Sequence, residues 1–233
     1  MKNSKMKYVS KRDNNPVVPG HEYIYRWVKP YLKKNHRLLD IGCWTGPLES
    51  LFEKDECHIT GIDIDDEPLN FSRKKFPRYT FKKASVIEKL PFHKNAFDII
   101  LYFMVIEHIP KGAELKSLIN INRVLKKDGQ LFFSTMHDNF LSNLLDPAYI
   151  FGHRHYSKKD LESMFRKSGF KIESVKYNAG FFTTLHIFLL YFFKHVLRRN
   201  EPRNKILDWL MTQDYKDRGF VEIDIRAKKV KEV

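Results

Sequence analysis

The segment Leu38-Leu-Asp-Ile-Gly-Cys-Trp-Thr-Gly46 decides the fold of this chain. Residues 37–41 are mostly apolar and lack helical spacing, which is typical of a buried parallel strand. Gly42 and Gly46 bracket the turn that follows, and glycine permits positive φ and lets a ligand approach the backbone closely. Pro47 suits the first turn of a helix. The order of strand, glycine turn and helix predicts a nucleotide-cofactor site at the carboxyl end of a sheet.

Residues 58–64 predict a second buried strand, with Asp63 at its end. An acidic residue about 20 positions after the first turn accepts hydrogen bonds from a ribose diol. Dinucleotide-binding enzymes share this spacing but carry the pattern G-x-G-x-x-G, whereas this chain has Gly42-x-x-x-Gly46 with Trp44 between the glycines. The glycine spacing therefore argues against a nicotinamide or flavin site.

Further motifs continue this pattern along the chain. They are Asp40 to Gly46, Asp63, Leu90-Pro-Phe92, Phe97-Asp98, Glu107-His108 and Arg123-Val-Leu-Lys-Lys-Asp-Gly129. In this order they resemble class I S-adenosylmethionine (SAM) dependent methyltransferases, most of all the branch of quinone-biosynthesis and glycolipid-modifying enzymes. The resemblance covers roughly residues 38–170, with a closing strand near Val221. It implies SAM as cofactor and a Rossmann-like α/β sheet, mostly parallel with an antiparallel final strand, with helices on both faces.

The same resemblance assigns cofactor contacts to nine residues. They are Asp40, Gly42, Trp44, Gly46, Asp63, Ile64, Ser85, Val86 and Phe103. Asp63 would hold the ribose, the two glycines would admit the methionine end, and Ser85-Val86 would lie beside the adenine. Trp44 stands where the family usually has glycine, and Ser85 where it often has an acidic residue. Phe103 either packs near the ligand or is a plain core aromatic.

Polar residues at predicted strand ends are candidate catalytic residues that would act on the methyl acceptor. Glu107 and His108 follow the fourth strand and are either an acid–base pair or a helix-start pair that fixes the loop. His137 lies just past the fifth strand, where its pKa range suits proton removal, unless it is a satisfied surface histidine. His153 and His155 have no carboxylate or cysteine at ligand spacing, so no metal site is predicted.

Length and composition indicate one globular domain. The 233 residues, 42% of them hydrophobic, suffice for a full core. Residues 1–20 are predicted to be a flexible basic lead-in, residues 21–34 a helix that covers the cofactor or simply packs, and residues 140–151 a lid or substrate loop. Residues 179–218 are predicted to be an apolar helical insertion before the last strand. Only two cysteines occur, Cys43 and Cys57, which favours a reducing, cytoplasmic setting.

The net charge of +14 favours an anionic partner, unless it is only a solvated cationic surface. The lysines are spread along the chain outside any RNA-binding motif, which favours a membrane over nucleic acid. Residues 181–193 are densely apolar, and Lys194, His195, Arg198 and Arg199 follow. This segment falls short of the roughly 20 residues that span a bilayer. It either lies at a membrane interface or forms a buried helix pair or homodimer contact.

These observations predict a SAM-dependent methyltransferase for an amphipathic or lipid-linked acceptor, such as a glycolipid, polyprenyl or quinone precursor. The enzyme would be cytoplasmic and peripheral on the cytoplasmic membrane face. One alternative is a methyltransferase for a soluble small molecule or RNA, with the apolar insertion serving as core or dimer contact. Another is a binding module that keeps the fold without catalysis, which Trp44 and Ser85 motivate.

Overall fold

Seven strands and eight α-helices make up the part of the chain that the computed structural model describes, residues 17–150, 152–199 and 204–233. The strands are β1 (Arg37–Ile41), β2 (His58–Asp63), β3 (Thr80–Lys83), β4 (Phe97–Phe103), β5 (Leu125–Met136), β6 (Phe170–Asn178) and β7 (Glu222–Lys229). The helices are α1 (Pro19–Val28), α2 (Asp66–Lys75), α3 (Glu114–Val124), α4 (Phe140–Leu145), α5 (Pro147–Ile150), α6 (Lys158–Lys167), α7 (Phe181–Tyr191) and α8 (Lys205–Asp214). Residues 1–16 of the predicted lead-in lie outside the described residues, as do the side chains of Lys194 and His195.

The strands form one sheet in the order β3-β2-β1-β4-β5-β7-β6. β1 pairs in parallel with β2 on one side and with β4 on the other, so that Leu39 lies opposite both Thr60 and Ile100. Only β7 runs antiparallel to its neighbours, β5 and β6. The predicted sheet, mostly parallel with an antiparallel final strand, is confirmed. Because the strand order reverses between β1 and β4, the carboxyl ends of these strands open a crevice.

Apolar side chains alternate between the two faces of the sheet and are covered on both. On one face, Leu39 of β1 belongs to a core with Leu118 of α3 and Leu161 of α6. On the other face, its neighbour Leu38 belongs to a core with Trp27 of α1. The predicted helices on both faces are confirmed. Burial on both faces also explains why these strands read as continuous apolar runs.

Two predicted helices differ in extent from those in the structure. α1 begins at Pro19, inside the predicted lead-in, and ends at Val28 because Pro30 has no N–H to continue the hydrogen-bond ladder. A 3₁₀ turn over Lys29–Tyr31 follows it. The helix predicted at Pro47 is a single 3₁₀ turn, Glu49–Phe52.

The segment predicted to be a lid loop folds into α4 and α5. Asn139 caps α4 by accepting a hydrogen bond from the Ser142 N–H (3.1 Å), a signal that the apolar composition obscured. Between β6 and β7, α7 continues into a π-helical turn, Phe192–Val196, and α8 then follows. Among the helices in the described ranges, none has both the length and the apolar character needed to cross a bilayer.

Candidate functional site

The turn after β1 is tight and closely packed. The N–H groups of Gly42 and Cys43 both donate to the Ile62 carbonyl, at 2.8 and 3.1 Å. Gly42 has φ 82° and Gly46 has φ 75°, so the predicted glycine turn is confirmed. A Cβ at position 42 would lie 2.5 Å from a methyl carbon of Val105. Glycine is therefore required there for backbone conformation and for space.

Trp44, at the centre of the same turn, also has a positive φ of 50°. This conformation costs a non-glycine residue about 1–2 kcal/mol, which explains why glycine is usual here in the family that the sequence resembles. The Trp44 N–H donates to Asp63 Oδ2 (3.1 Å), and the Asp65 N–H donates to Asp63 Oδ1 (3.0 Å). Asp63 thus ties the end of β2 to the turn. Each carboxylate oxygen retains a second acceptor position for a ligand hydroxyl.

The predicted adenine contacts lie along the edge where β3 ends. The Ala84 N–H donates to the Asp63 carbonyl (3.0 Å), which places the half-buried Ser85 beside the end of β2. Val86 is a buried core residue, whereas Ile64 is 70% exposed. Of these residues, Ser85 is best placed to meet a ligand at this edge.

A cavity of about 420 Å³ opens beside the glycine turn, within the usual size range of small-molecule sites. Four predicted cofactor residues line it, namely Asp40, Gly42, Trp44 and Phe103. The other five, Gly46, Asp63, Ile64, Ser85 and Val86, lie outside its lining. α1 contributes His21, Tyr23 and Ile24, so this helix covers the cavity in addition to packing on the sheet.

Three residues with carboxyl side chains line the cavity, one on β1 and two on β7. They are Asp40, Glu222 and Asp224. Because β7 is antiparallel, its first residues lie where the parallel strands end, with Glu222 opposite Met136 and Asp224 opposite Ser134. Asn178 donates to Asp224 Oδ2 (2.6 Å), and Tyr215 donates to Glu222 Oε1 (3.5 Å).

Burial is the main cause that raises the pKa of each of these carboxyl groups. The pKa of Asp40 rises to about 7, with a further contribution from the charge of Asp63. The pKa of Glu222 rises to about 8, with repulsion from Asp224 as the second cause, and the pKa of Asp224 rises to about 6. A bound cation would offset both burial and repulsion and would favour the ionised forms. The cavity is therefore suited to a positively charged ligand.

His21 and Tyr23 belong to the helix for which the sequence left open a role in covering the cofactor. The lining residues from β7 and from the end of α8 were not predicted, and they are Tyr215, Glu222 and Asp224. The alternation of Glu222 and Asp224 in a strand predicted to be antiparallel was an available signal, since both side chains then share one face at the site edge. Tyr215 had no such signal, because it lies in a connection after α8.

None of the predicted catalytic residues Glu107, His108 and His137 is among the residues that line the cavity. Glu107 is buried, its Oε2 accepts a hydrogen bond from Thr135 (2.9 Å), and burial raises the carboxyl pKa to about 7. His108 is exposed, and burial lowers the pKa of the half-buried His137. The ring of His137 lies 4.8 Å from that of Tyr177. A catalytic role for the three residues stays a prediction.

The sequence is related to a known protein family and to curated proteins. Residues 20–175 match the family described as a methyltransferase domain. A ubiquinone biosynthesis O-methyltransferase from Aromatoleum aromaticum is 31% identical over 112 residues, 46% of this chain and 47% of that protein. The ubiquinone/menaquinone biosynthesis C-methyltransferase UbiE of Campylobacter jejuni is 31% identical over 134 residues, 49% of this chain and 56% of that protein. The chain thus spans about half the length of the curated relatives it matches.

Solved structures share the fold at lower identity. A SAM-dependent methyltransferase from Methanosarcina mazei superposes with a TM-score of 0.65 at 17% identity, over 88% of this chain and 98% of that one. The (4+2)-cyclase SpnF superposes with a TM-score of 0.64 at 21% identity, over 88% of this chain and 80% of that one. Proteins described by different reactions therefore share this fold, so the reaction must be argued from the site.

Proposed function

The chain belongs to the family of methyltransferase domains, as its motifs predicted, and on that premise we propose that it methylates an amphipathic or lipid-linked acceptor with SAM as methyl donor. The acceptor class would be a glycolipid, polyprenyl or quinone precursor. The methyl-transfer part of the proposal rests on the glycine turn and the cavity. The acceptor class rests on one observation, the outward apolar stripe of α7.

The residues at the sheet edge fit the cofactor in shape and charge. Asp63 retains acceptor positions for the ribose hydroxyls, and the turn at Gly42 leaves room for the methionine end. When bound, SAM supplies an electrophilic methyl group on a sulfonium cation. The carboxyl groups of Asp40, Glu222 and Asp224 lie in the same cavity and complement that positive charge.

The chain's own residues then have two tasks, to position the acceptor and to exclude water. α1 and Tyr215 close the cavity, and Tyr23 stacks on Tyr215 with ring centroids 5.3 Å apart. If the acceptor is a hydroxyl, a base must take its proton. Glu222 is the candidate for that role, because it lines the cavity and its raised pKa makes the carboxylate more basic.

Helix α7 supports the choice of a lipid-linked acceptor because its polarity is inverted: its polar side chains face the protein and its apolar side chains face outward. Phe181, Leu185, Phe188 and Phe192 recur at helical spacing and are between 43% and 65% exposed. The buried positions of α7 are Thr183 and Thr184. Thr183 donates through its hydroxyl and its N–H to Asp214 Oδ2, at 2.9 and 2.7 Å. A helix with hydrogen-bonding residues inward and aromatic residues outward has an apolar face suited to lying in a membrane interface.

Neighbouring elements enlarge this apolar surface. α7 contacts both α5 and α8. On α8, Ile206 and Trp209 are 70% and 62% exposed. Large exposed apolar surface of this kind marks an interaction site. The net charge of +14 would favour an anionic lipid surface as its partner.

The first experiment supplies SAM labelled in its methyl group and separates lipid, aqueous, nucleic-acid and protein fractions of a cell extract. We expect the label in the lipid fraction. Label in the aqueous or nucleic-acid fraction would contradict the lipid acceptor and support a soluble one. If no fraction is labelled while SAM binding is measured directly, two explanations survive: the extract lacks the acceptor, or the chain is a binding module without catalysis.

The second experiment tests the apolar surface with Leu185→Ser/Phe188→Ser. We expect this variant to cosediment less with anionic vesicles and to lose activity on lipid acceptors, with SAM affinity unchanged. Val230→Ser is the matched control, because Val230 is 50% exposed and follows the last residue of β7, at the other end of that strand from α8. Unchanged vesicle binding would contradict the membrane contact, and a shift from dimer to monomer in the variant would assign the surface to a homodimer.

A further inference from the structure

A second cluster of polar side chains lies outside the cavity, in the connection between β5 and α6. Asp146 Oδ2 lies 3.0 Å from His153 Nδ1 and 2.9 Å from His155 Nε2. The side chains of Asp146, His153 and His155 are only 5%, 14% and 1% exposed. The sequence-based expectation that the two histidines lack a carboxylate partner is therefore wrong. α5 reverses the chain, with the His153 N–H donating to the Ala148 carbonyl (3.0 Å), and Asp146 meets both rings.

Hydrogen bonds on the far side of His155 show which of its ring nitrogens faces Asp146 with room for a ligand bond. Asn143 donates through Nδ2 to Asp138 Oδ1 (2.8 Å). Because the Asp138 carboxylate can only accept, the Asn143 amide must be oriented with Oδ1 toward His155. That oxygen lies 2.7 Å from His155 Nδ1, which must therefore carry the proton. Nε2 is therefore the ring nitrogen that can serve as a metal ligand, and it faces Asp146 Oδ2 at 2.9 Å.

His153 offers a second ring nitrogen, because a hydrogen bond from its Nε2 to another residue would leave Nδ1 to face Asp146. Among the described residues, its Nε2 atom is buried without a hydrogen-bond partner, and so is Glu107 Oε1. A ring nitrogen of His153 and a carboxylate oxygen of Glu107 lie within 4.8 Å of each other. A proton on Nε2 would let His153 approach Glu107 and satisfy both atoms. Nδ1 would then present its lone pair to Asp146 Oδ2.

We propose that Asp146, His153 and His155 bind a divalent transition-metal ion of the Zn²⁺ class. One ligand atom from each of the three residues lies within 4.8 Å of the other two, and a donor set of two imidazole nitrogens and a carboxylate oxygen suits Zn²⁺ or Co²⁺. Asn143 and Glu107 would be the outer hydrogen-bond acceptors that metal-bound histidines commonly have. Ligands about 2.0–2.1 Å from a tetrahedral ion are about 3.3 Å apart, so the two distances from Asp146 Oδ2, 3.0 and 2.9 Å, need to change by only a few tenths of an ångström.

The position of the cluster indicates a structural role for the ion. None of its three ligands lines the cavity. Arg154, between the two histidines, donates to the Ile106 carbonyl (2.8 Å) and so already joins this segment to the loop after β4. An ion at Asp146 would fix the same segment from its other side, next to α7, which α5 contacts.

The test uses the full chain without a histidine tag, first stripped with a chelator. It is titrated with Co²⁺ by visible absorption and with Zn²⁺ by calorimetry against a competing chelator. We expect one ion per chain and a Tm that rises with ion concentration. His155→Gln and Asp146→Asn should each weaken binding by more than about 100-fold, and Asn143→Ala by roughly 10–100-fold. His58→Gln and His93→Gln change exposed histidines and should have no effect.

Either of two results overturns the site. The first is that the wild type and His155→Gln bind the ion with equal affinity. The second is that the wild type binds no ion more tightly than exposed histidines such as His58 and His93 do. The cluster would then be held by hydrogen bonds between the two imidazole rings and Asp146. Circular dichroism checks that each variant is folded, and His153→Asn replaces any variant that is not. Because the readouts are ion binding and Tm, the result does not depend on methyl transfer.

Discussion

The glycine turn after β1 and helix α7 differ in how fully the rest of the described chain contacts them. The turn is complete within the described chain, since its N–H groups reach the end of β2 and Gly42 fits closely against Val105. α7 satisfies only its inner, polar face, where Thr183 meets Asp214, and leaves Phe188 and its apolar neighbours in solvent. The difference separates two kinds of function. The turn is suited to a small ligand, whereas the described residues leave the outer face of α7 exposed, which is the basis of the proposed membrane contact.

The largest effect that we expect breaks the turn. Gly42→Ala combines a φ of 82° with a contact of 2.5 Å to Val105 Cγ2. The conformation costs about 1–2 kcal/mol and the overlap a further 1–3 kcal/mol, so we expect a loss of about 3 kcal/mol in the free energy of unfolding. SAM affinity should fall with it. Urea denaturation measures the first quantity and calorimetry the second.

Gly112→Ala is the matched control, because Gly112 has φ 91° but no atom within 4 Å of an added Cβ. It should lose only the conformational part, about 1–2 kcal/mol. Equal losses in the two variants would contradict the role of Val105. A double variant, Gly42→Ala/Val105→Ala, then measures the overlap directly, since it should regain part of the stability.

The same comparison explains how far the sequence predicts this molecule. The turn and the strand at Phe97–Phe103 were predictable because their signals lie within a few residues, as glycine pairs or apolar runs. The apolar character of α7 was predictable as well, but its orientation was not. That orientation depends on Asp214, 31 residues beyond Thr183, which binds the threonine and turns the aromatic residues outward. In the same way, Glu222 reaches the cavity through the pairing of β7 with β5, and Asp146 reaches His155 through a reversal at α5.

A smaller effect tests the electrostatics of the cavity. Burial raises the pKa of Asp40 to about 7 and that of Glu222 to about 8, so both carboxyl groups lose protons as the pH rises through this range. Their ionised forms attract the sulfonium. We therefore expect SAM affinity to rise about tenfold between about pH 6 and pH 8.5, and calorimetry at several pH values measures the change.

S-adenosylhomocysteine is the control ligand, because its sulfur is a neutral thioether. Its affinity should change less with pH than that of SAM. Glu222→Gln removes one titrating group and should flatten the SAM profile toward that of the control ligand. A profile that is the same for both ligands would assign the pH dependence to groups that do not face the sulfonium.

The smallest expected effect tests the inverted polarity of α7. Thr183→Val keeps the side-chain shape but removes the hydroxyl that donates to Asp214, so we expect it to lower the free energy of unfolding by about 1–2 kcal/mol. Leu185→Ser removes an apolar side chain that is 49% exposed, and we expect a change within about 0.5 kcal/mol. Binding to anionic vesicles should rank the two variants the other way, since only Leu185 lies on the outer face. If Leu185→Ser proves the more destabilising substitution, the outer face of α7 packs against protein, and the membrane contact loses its main support.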